Sequence, residues 1–344
     1  NGWPSKVPAD CFVDNQAPTG QFELTNVLVK NDIPFGFVSG HYKDPSLYQD
    51  IFEWARAAAA VRAVRKSTVG LIGYPMRGTG DFAVDHALLA HKLGPTVHDI
   101  DCAEVASLCK SAPPDVLRKQ MEFDARAFDI DKGLDRETHE HASRMEYALR
   151  ELVSTYHLDG ITYHFNSLAA DGRFAALPLL GVSKLLAEGI AYGGEGDIVS
   201  TVAVNIMQNL CGEADFFEIW GIDYDTGAVL KNHMGEGNWK FARKNEALVL
   251  GKAPFSLGKT ITKNAVLRFS LRQGDATFLS LTFTGDGKMK LVSGEGSVPD
   301  FPPIPGVATP HGKFKPAAEL KEFLRRYAYA GGSHHGALAY CSIS

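Results

Sequence analysis

The 344-residue sequence predicts an α/β fold: a doubly wound parallel-sheet domain followed by an antiparallel, barrel-like β domain. Three observations carry that prediction. Up to about residue 214, short apolar runs alternate with helical patterns of roughly 10–20 residues, the mark of βαβ units and a sheet covered on both faces. Beyond that point strict alternation takes over. Leu279, Leu281 and Phe283 interleave with Ser280 and Thr282, as in strands with one buried face. Near the change of pattern lies Gly193-Gly194-Glu195-Gly196-Asp197, an acid among glycines between two helix-like runs.

Residues 1–30 read as a lead-in, the remnant of a preceding domain, with a helix over about residues 21–30. The chain opens without Met on a segment carrying Pro4, Pro8 and Pro18 and ends abruptly on Cys341-Ser342-Ile343-Ser344, so a fragment is expected. Residues 31–214 form the expected α/β domain. It starts with a short strand, Ile33-Pro34-Phe35-Gly36-Phe37-Val38, in which Pro34 suits a strand's beginning. An Ala-rich helix follows over residues 45–65, with Ile51, Trp54 and Ala58 at helical spacing. Next come a buried strand over residues 69–74, a glycine-rich loop over 76–81, a helix over 84–93, a strand over 96–100 and one or two helices up to about 128. Residues 135–156 give the clearest helix. Met145, Ala148, Leu149, Leu152 and Tyr156 line one face, with charges on much of the other. A strand over 161–165 follows.

Residues 215–344 are the expected β domain, with strands over 216–222, 266–271, 276–284 and 288–292. Gln273-Gly274-Asp275 and Gly285-Asp286-Gly287 supply hairpin turn residues. A helix over about 316–327 leads to a Gly331-Gly332-Ser333-His334-His335 loop. No internal repeat and no low-complexity tract interrupts this order.

Composition narrows the function. Hydrophobic content of 45% and charged content of 22% suit a globular chain. A net charge of −5 argues against nucleic acid or an anionic membrane as partner, since both select basic patches. No apolar run approaches the ~20 residues that span a bilayer. Cys11, Cys102, Cys109, Cys211 and Cys341 are odd in number and lack CxxC spacing. Reduced thiols in a cytoplasmic protein are therefore expected.

Four places hold ligand-competent side chains. Glu195 lies where glycines let the backbone turn sharply and a ligand approach closely, though a solvated acid in a surface turn reads the same way. Glu218 is a lone carboxylate in Phe216-Phe217-Glu218-Ile219-Trp220. Such a charge is costly to bury unless paired or bound to metal, yet alternation equally allows it to face solvent. His233 precedes the Met234-Gly235-Glu236-Gly237-Asn238 turn and suits a structural role as well as a ligand. His334-His335 fits a solvated surface loop as well as a site. The loop Met76-Arg77-Gly78-Thr79-Gly80-Asp81 lacks both the GxxxxGK[ST] and the GxGxxG pattern. It reads first as a structural turn, then as a substrate-side loop offering Arg77 and Asp81 to a sugar.

In the order of these residues the chain resembles the L-arabinose isomerase family. The likeness runs from Pro18-Thr19-Gly20 to the paired histidines and is densest in Asp171-Gly172-Arg173-Phe174, Leu177-Pro178-Leu179 and Gly193-Gly194-Glu195-Gly196-Asp197. The resemblance implies a divalent metal, most often Mn²⁺ with Co²⁺ or Fe²⁺ as alternatives, held by Glu195, Glu218, His233 and His335. It implies Glu195 and Glu218 as the acid and base that move a sugar between aldose and ketose forms, and a homo-oligomer, trimer or hexamer. It also implies that the family's N-terminal Rossmann-like domain and much of its C-terminal tail are lacking here. The chain departs from the family at Ile198-Val199-Ser200, where arabinose enzymes tend to have Trp-Lys-Thr, and in the loop after His233. A non-catalytic sugar-binding or regulatory protein on the same scaffold is the alternative, and a metal lyase such as an aldolase is a third.

Overall fold

The computed structural model describes residues 17–342. Contacts divide the chain into two compact units, one up to Ala58 and one from Ala59 onward. In the first, helix α1 (Ala17–Lys30) and the opening turns of α2 (Pro45–Arg65) flank an irregular segment. Residues 33–38 form no strand there, contrary to expectation. Pro34 removes a ladder donor, and the described residues of that unit hold no strand for it to pair with. Phe37 instead stacks on Phe22 at 6.3 Å.

The second unit holds both halves of the expected architecture. Its parallel sheet has the order β2-β1-β4-β5, from β1 (Thr68–Ile72), β2 (Thr96–Ile100), β4 (Gly160–Tyr163) and β5 (Ala191–Gly193). The apolar runs become strands because β1 and β4 are buried almost throughout, as central parallel strands must be. Connections run through α3 (His86–Lys92), α4 (Cys102–Ser111), α5 (Pro114–Ala127), α6 (Arg136–Tyr156), α7 (Phe165–Asp171) and α8 (Leu179–Ala187). In α6, Asp135 caps the first turn by accepting from the Thr138 amide at 2.8 Å, and His157 ends the helix in the left-handed conformation.

Helix α9 (Ile198–Cys211) joins the halves. Every residue from Ile198 to Gln208 is buried, the pattern of a helix covered all round. It packs on β4 and β5 on one side and on two barrel strands on the other. The barrel is closed and antiparallel, in the order β10-β11-β12-β7-β6-β13. Its strands are β6 (Asp215–Asp223), β7 (Ala228–Lys231), β10 (Gly274–Phe283), β11 (Met289–Val298), β12 (Gly312–Pro316) and β13 (His335–Ala339). A small sheet joins β3 (Asp129–Ile130) to β8 (Val249–Lys252) and β9 (Ala265–Arg268), and α10 (Leu320–Ala330) precedes β13.

Three expectations for this half are corrected. Gly274 opens β10 rather than turning a hairpin with β9, which pairs with β8 instead. His335 is the first residue of a strand, not part of a loop. Cys211 and Cys341 form a disulfide, while Cys102 and Cys109 are free. The bonded pair is 130 residues apart, so no spacing motif announces it; the end of α9 and the end of β13 simply meet there.

Candidate metal centre

Four elements converge at the carboxyl end of the parallel sheet. The β5 chain turns through a 3₁₀ segment, Gly194–Gly196, in which Glu195 has φ 62° and ψ 18°. Left-handed backbone at a non-glycine residue is uncommon and strained, so the fold holds Glu195 there. Gly194 permits the close approach of the barrel: a Cβ on it would sit 2.9 Å from His233 Nε2. Glu218 lies in β6 directly across the antiparallel ladder from His335 in β13. His233 follows β7 by two residues.

Each imidazole is oriented through its other nitrogen. His335 Nδ1 faces Asp197 Oδ2 at 3.1 Å, and His233 Nδ1 faces Glu236 Oε2 at 2.7 Å. A carboxylate can only accept, so both protons sit on Nδ1 and leave the Nε2 lone pairs free. Those Nε2 atoms, together with Glu218 Oε2, are buried without a hydrogen-bond partner among the described residues. Isolated orphans of this kind cost free energy. Here they face one another: Glu218, His233 and His335 present ligand atoms within 4.8 Å of each other. Glu195, His334 and His335 form a second such group, so His335 belongs to both.

The surrounding charges are built around this opening. Burial raises the Glu195 and Glu218 carboxyls above their ordinary range, with His233 pulling the other way. Burial pushes the His335 imidazole down to about 4, against the pull of Asp197. Burial likewise opposes charge on Glu236, but the His233 imidazole and hydrogen bonds from Tyr163 and Tyr192 outweigh it and hold the carboxyl at about 2. Tyr192 donates at 2.8 Å. Burial disfavours a charged His233, yet Glu236 leaves its pKa raised.

The structure thus places Glu218, His233 and His335 in one cluster and ties Glu195 to it through His335 and His334. Sequence reasoning gave no role to Asp197 and Glu236, which aim the rings, and it named His334 and Asp81 without their contact at 2.7 Å. Asp197 and Glu236 were visible as acids beside the predicted ligands. The Asp81–His334 contact spans 253 residues and left no local trace. Asp197 also caps α9, accepting from the Ser200 amide at 3.0 Å, so helix and ligand share one carboxylate.

The donor set suits a divalent cation. Two imidazole nitrogens and carboxylate oxygens match Mn²⁺, Co²⁺ or Fe²⁺ rather than a soft thiolate-bound ion. The orphaned Nε2 and Oε2 atoms are what such an ion would satisfy.

The family model for the L-arabinose isomerase central domain matches residues 73–213, and that for the L-arabinose isomerase C-terminal domain matches residues 213–343. The L-arabinose isomerases of Nocardioides sp. and Acidothermus cellulolyticus are each 26% identical to the chain, over 97% of it and 68% of the relative. That of Thermotoga neapolitana is 26% identical over 94% of the chain and 66% of its own length.

Proposed function

The chain belongs to the L-arabinose isomerase family, and from that premise we propose that it is a metal-dependent aldose–ketose isomerase acting on a pentose or hexose. The observation that carries the reading is the set of buried, unpartnered atoms on Glu218, His233 and His335 facing one another. Glu195, Glu218, His233 and His335 are the proposed metal ligands, with Mn²⁺ the first candidate and Co²⁺ or Fe²⁺ the alternatives. A divalent ion bound there would supply positive charge to a sugar enediolate.

The residues of the chain then do the rest. Glu195 and Glu218 carry the proton from one carbon of the sugar to the next, because a carboxyl raised by burial both takes and returns a proton readily. Glu236 and Asp197 keep the two imidazoles turned inward. Gly194 lets His233 and Phe216 come against the turn that carries Glu195. The sugar itself is set by the segments that depart from the family, Ile198-Val199-Ser200 and the loop after His233.

The same reading includes a domain boundary at residues 214/215, supported by the two family models meeting at residue 213. It includes a homo-oligomer, trimeric or hexameric. Phe22, Phe52 and Trp54 are each more than half exposed, the kind of apolar surface an assembly covers. A cytoplasmic location is part of it too, though Cys211 and Cys341, being disulfide-bonded, no longer argue for it.

The test is ketose formation followed by NMR, with a panel of aldoses and Mn²⁺. Alanine at Glu195 or Glu218 should abolish it; near wild-type turnover in either variant sinks the reading. Tight sugar binding with no ketose formed would leave the non-catalytic alternative standing.

A further inference from the structure

His164 is the one buried histidine whose ring makes no hydrogen bond at either nitrogen among the described residues. It is 3% exposed. It occupies the N-cap position of α7, but its side chain does not cap the helix; its backbone is held by the Ile72 carbonyl, the Ser167 and Leu168 amides and the Ser167 hydroxyl, whereas its ring has aromatic contacts with Tyr74 and Phe165. Two orphaned polar atoms in one buried ring are destabilising unless something else meets them.

The position of His164 says what that is. It directly follows β4, and Glu195 follows β5 by two residues. Thr162 pairs with Gly193 across that ladder, so both residues stand at the carboxyl ends of neighbouring parallel strands. Strand order reverses beside β4, between it and β1, where open α/β sheets receive ligands. A single segment, residues 74–82, links His164 to the metal centre. Tyr74 lies against the His164 ring at 5.0 Å. The Met76 amide donates to the Glu195 carbonyl at 2.9 Å. Asp81 holds His334, and Phe82 stacks on His335 at 4.7 Å. Arg77 covers the outer face of Tyr74 at 4.7 Å.

We propose that His164 is a sugar-binding residue of this site, receiving a hydroxyl of the bound aldose at a carbon remote from the metal ligands. The assignment rests on the isomerase reading for the identity of the ligand as a polyhydroxylated chain. A neutral imidazole carries one donor and one acceptor, and a hydroxyl offers both in return. Burial and the nearby Arg77 charge favour that neutral form.

The test uses the full chain loaded with Mn²⁺, two variants, and L-arabitol as a polyol that cannot isomerise. His164→Phe keeps the ring's bulk and removes both nitrogens; His164→Gln keeps a donor and an acceptor. In calorimetry, His164→Phe should weaken L-arabitol binding about tenfold or more, the worth of one to two hydrogen bonds. His164→Gln should recover part of that loss, and Mn²⁺ affinity should be unchanged in both. The melting temperature of metal-free His164→Phe should equal or exceed that of the parent, since two unsatisfied buried atoms are gone. Unchanged L-arabitol affinity in His164→Phe overturns the proposal and leaves the isomerase reading intact. A lowered melting temperature in His164→Phe overturns it too, because it makes the histidine structural. L-arabitol binding that depends on His164 in a parent chain forming no ketose supports the proposal and defeats the isomerase reading.

Discussion

The compact unit from Ala59 onward contains two clusters of buried charge, and they are built in opposite ways. In the first, Lys184 donates to Asp124 at 2.7 Å and to Glu146 at 2.6 Å. Asp124 meets His139 at 2.8 Å on its other oxygen, and Glu146 accepts from Arg150 at 2.8 Å. Arg150 in turn pairs with both oxygens of Glu188. No charged atom of Asp124, Glu146 or Lys184 is left over. In the second cluster, at Glu218, His233 and His335, the inward atoms have no hydrogen-bond partner among the described residues, His233 and Glu218 approaching only to 4.0 Å, and the outward nitrogens of the rings are tied down. A closed network of this sort joins helices α5, α6 and α8; an open one awaits a ligand. Burial of charge alone therefore does not mark a functional site. Which atoms remain unpaired, and whether they share a focus, does.

The strongest way to break that contrast is in the open cluster. Glu218→Gln should lower isomerase turnover by about 10²–10⁴-fold, the usual worth of a positioned acid–base group, while the unfolding free energy of the metal-free chain changes by no more than about 0.5 kcal/mol. A large stability loss would mean the two clusters are alike. In the closed cluster, Lys184→Ala should do the reverse. It strands Asp124 and Glu146 without their counter-ion and should destabilise by about 3–5 kcal/mol, measured by urea unfolding.

A smaller effect sharpens the role of the carboxylates behind the rings. Asp197→Asn should weaken Mn²⁺ binding by roughly 10–100-fold in calorimetry, as removing a ligand-orienting partner does elsewhere. The opposite outcome, unchanged affinity, would place His335 outside the ligand set.

Acid titration separates the clusters further. His335 is held at about 4 against an ordinary 6.5, so between those values the unfolded chain binds its proton and the folded chain does not. Stability of the metal-free protein should then fall as pH drops from 6.5 to 4, by up to about 1.4 kcal/mol per unit from this group. His335→Gln should flatten that limb. An unchanged slope in the variant would show that other groups set it. The smallest change concerns the thiols: alkylation of the unfolded, unreduced chain should leave Cys211 and Cys341 unlabelled, and labelling of either would restore the expectation of free thiols.

The fold was legible wherever burial imposes a period. The αβ alternation up to residue 214, the α6 face of Met145, Leu149 and Leu152, and the β10–β11 hairpin at Gly285-Asp286-Gly287 all follow from which side chains must leave water. Strands β7 and β12 escaped because each is short; β12, Gly312–Pro316, carries two lysines and a proline. Strand β13 was obscured because glycines stand before it and two histidines look like a loop. The closed cluster was invisible for a related reason. Glu146 lies on α6 among charges that read as a solvated face, and only the packing of α8 against it puts Lys184 there. The candidate ligands could be named from residue type and a family likeness. Their second partners could not, since Asp81 and His334, or Asp197 and His335, meet only in three dimensions.

Helix α9 and strand β13 run side by side in the same direction and are fastened at both ends. At the start Asp197 holds His335; at the finish Cys211 is bonded to Cys341. From 197 to 211 a helix advances about 21 Å; from His335 to Ala339 the strand advances about 13 Å, and Tyr340 and Cys341 bridge the remainder, so the pair works like a vernier locked at both ends of its scale. Neither element can slide along the other without breaking a fastening, and the imidazole of His335 inherits that fixed position. A one-residue insertion in either element, far from the metal centre, would throw the scales out of step and carry the ring away from Glu218.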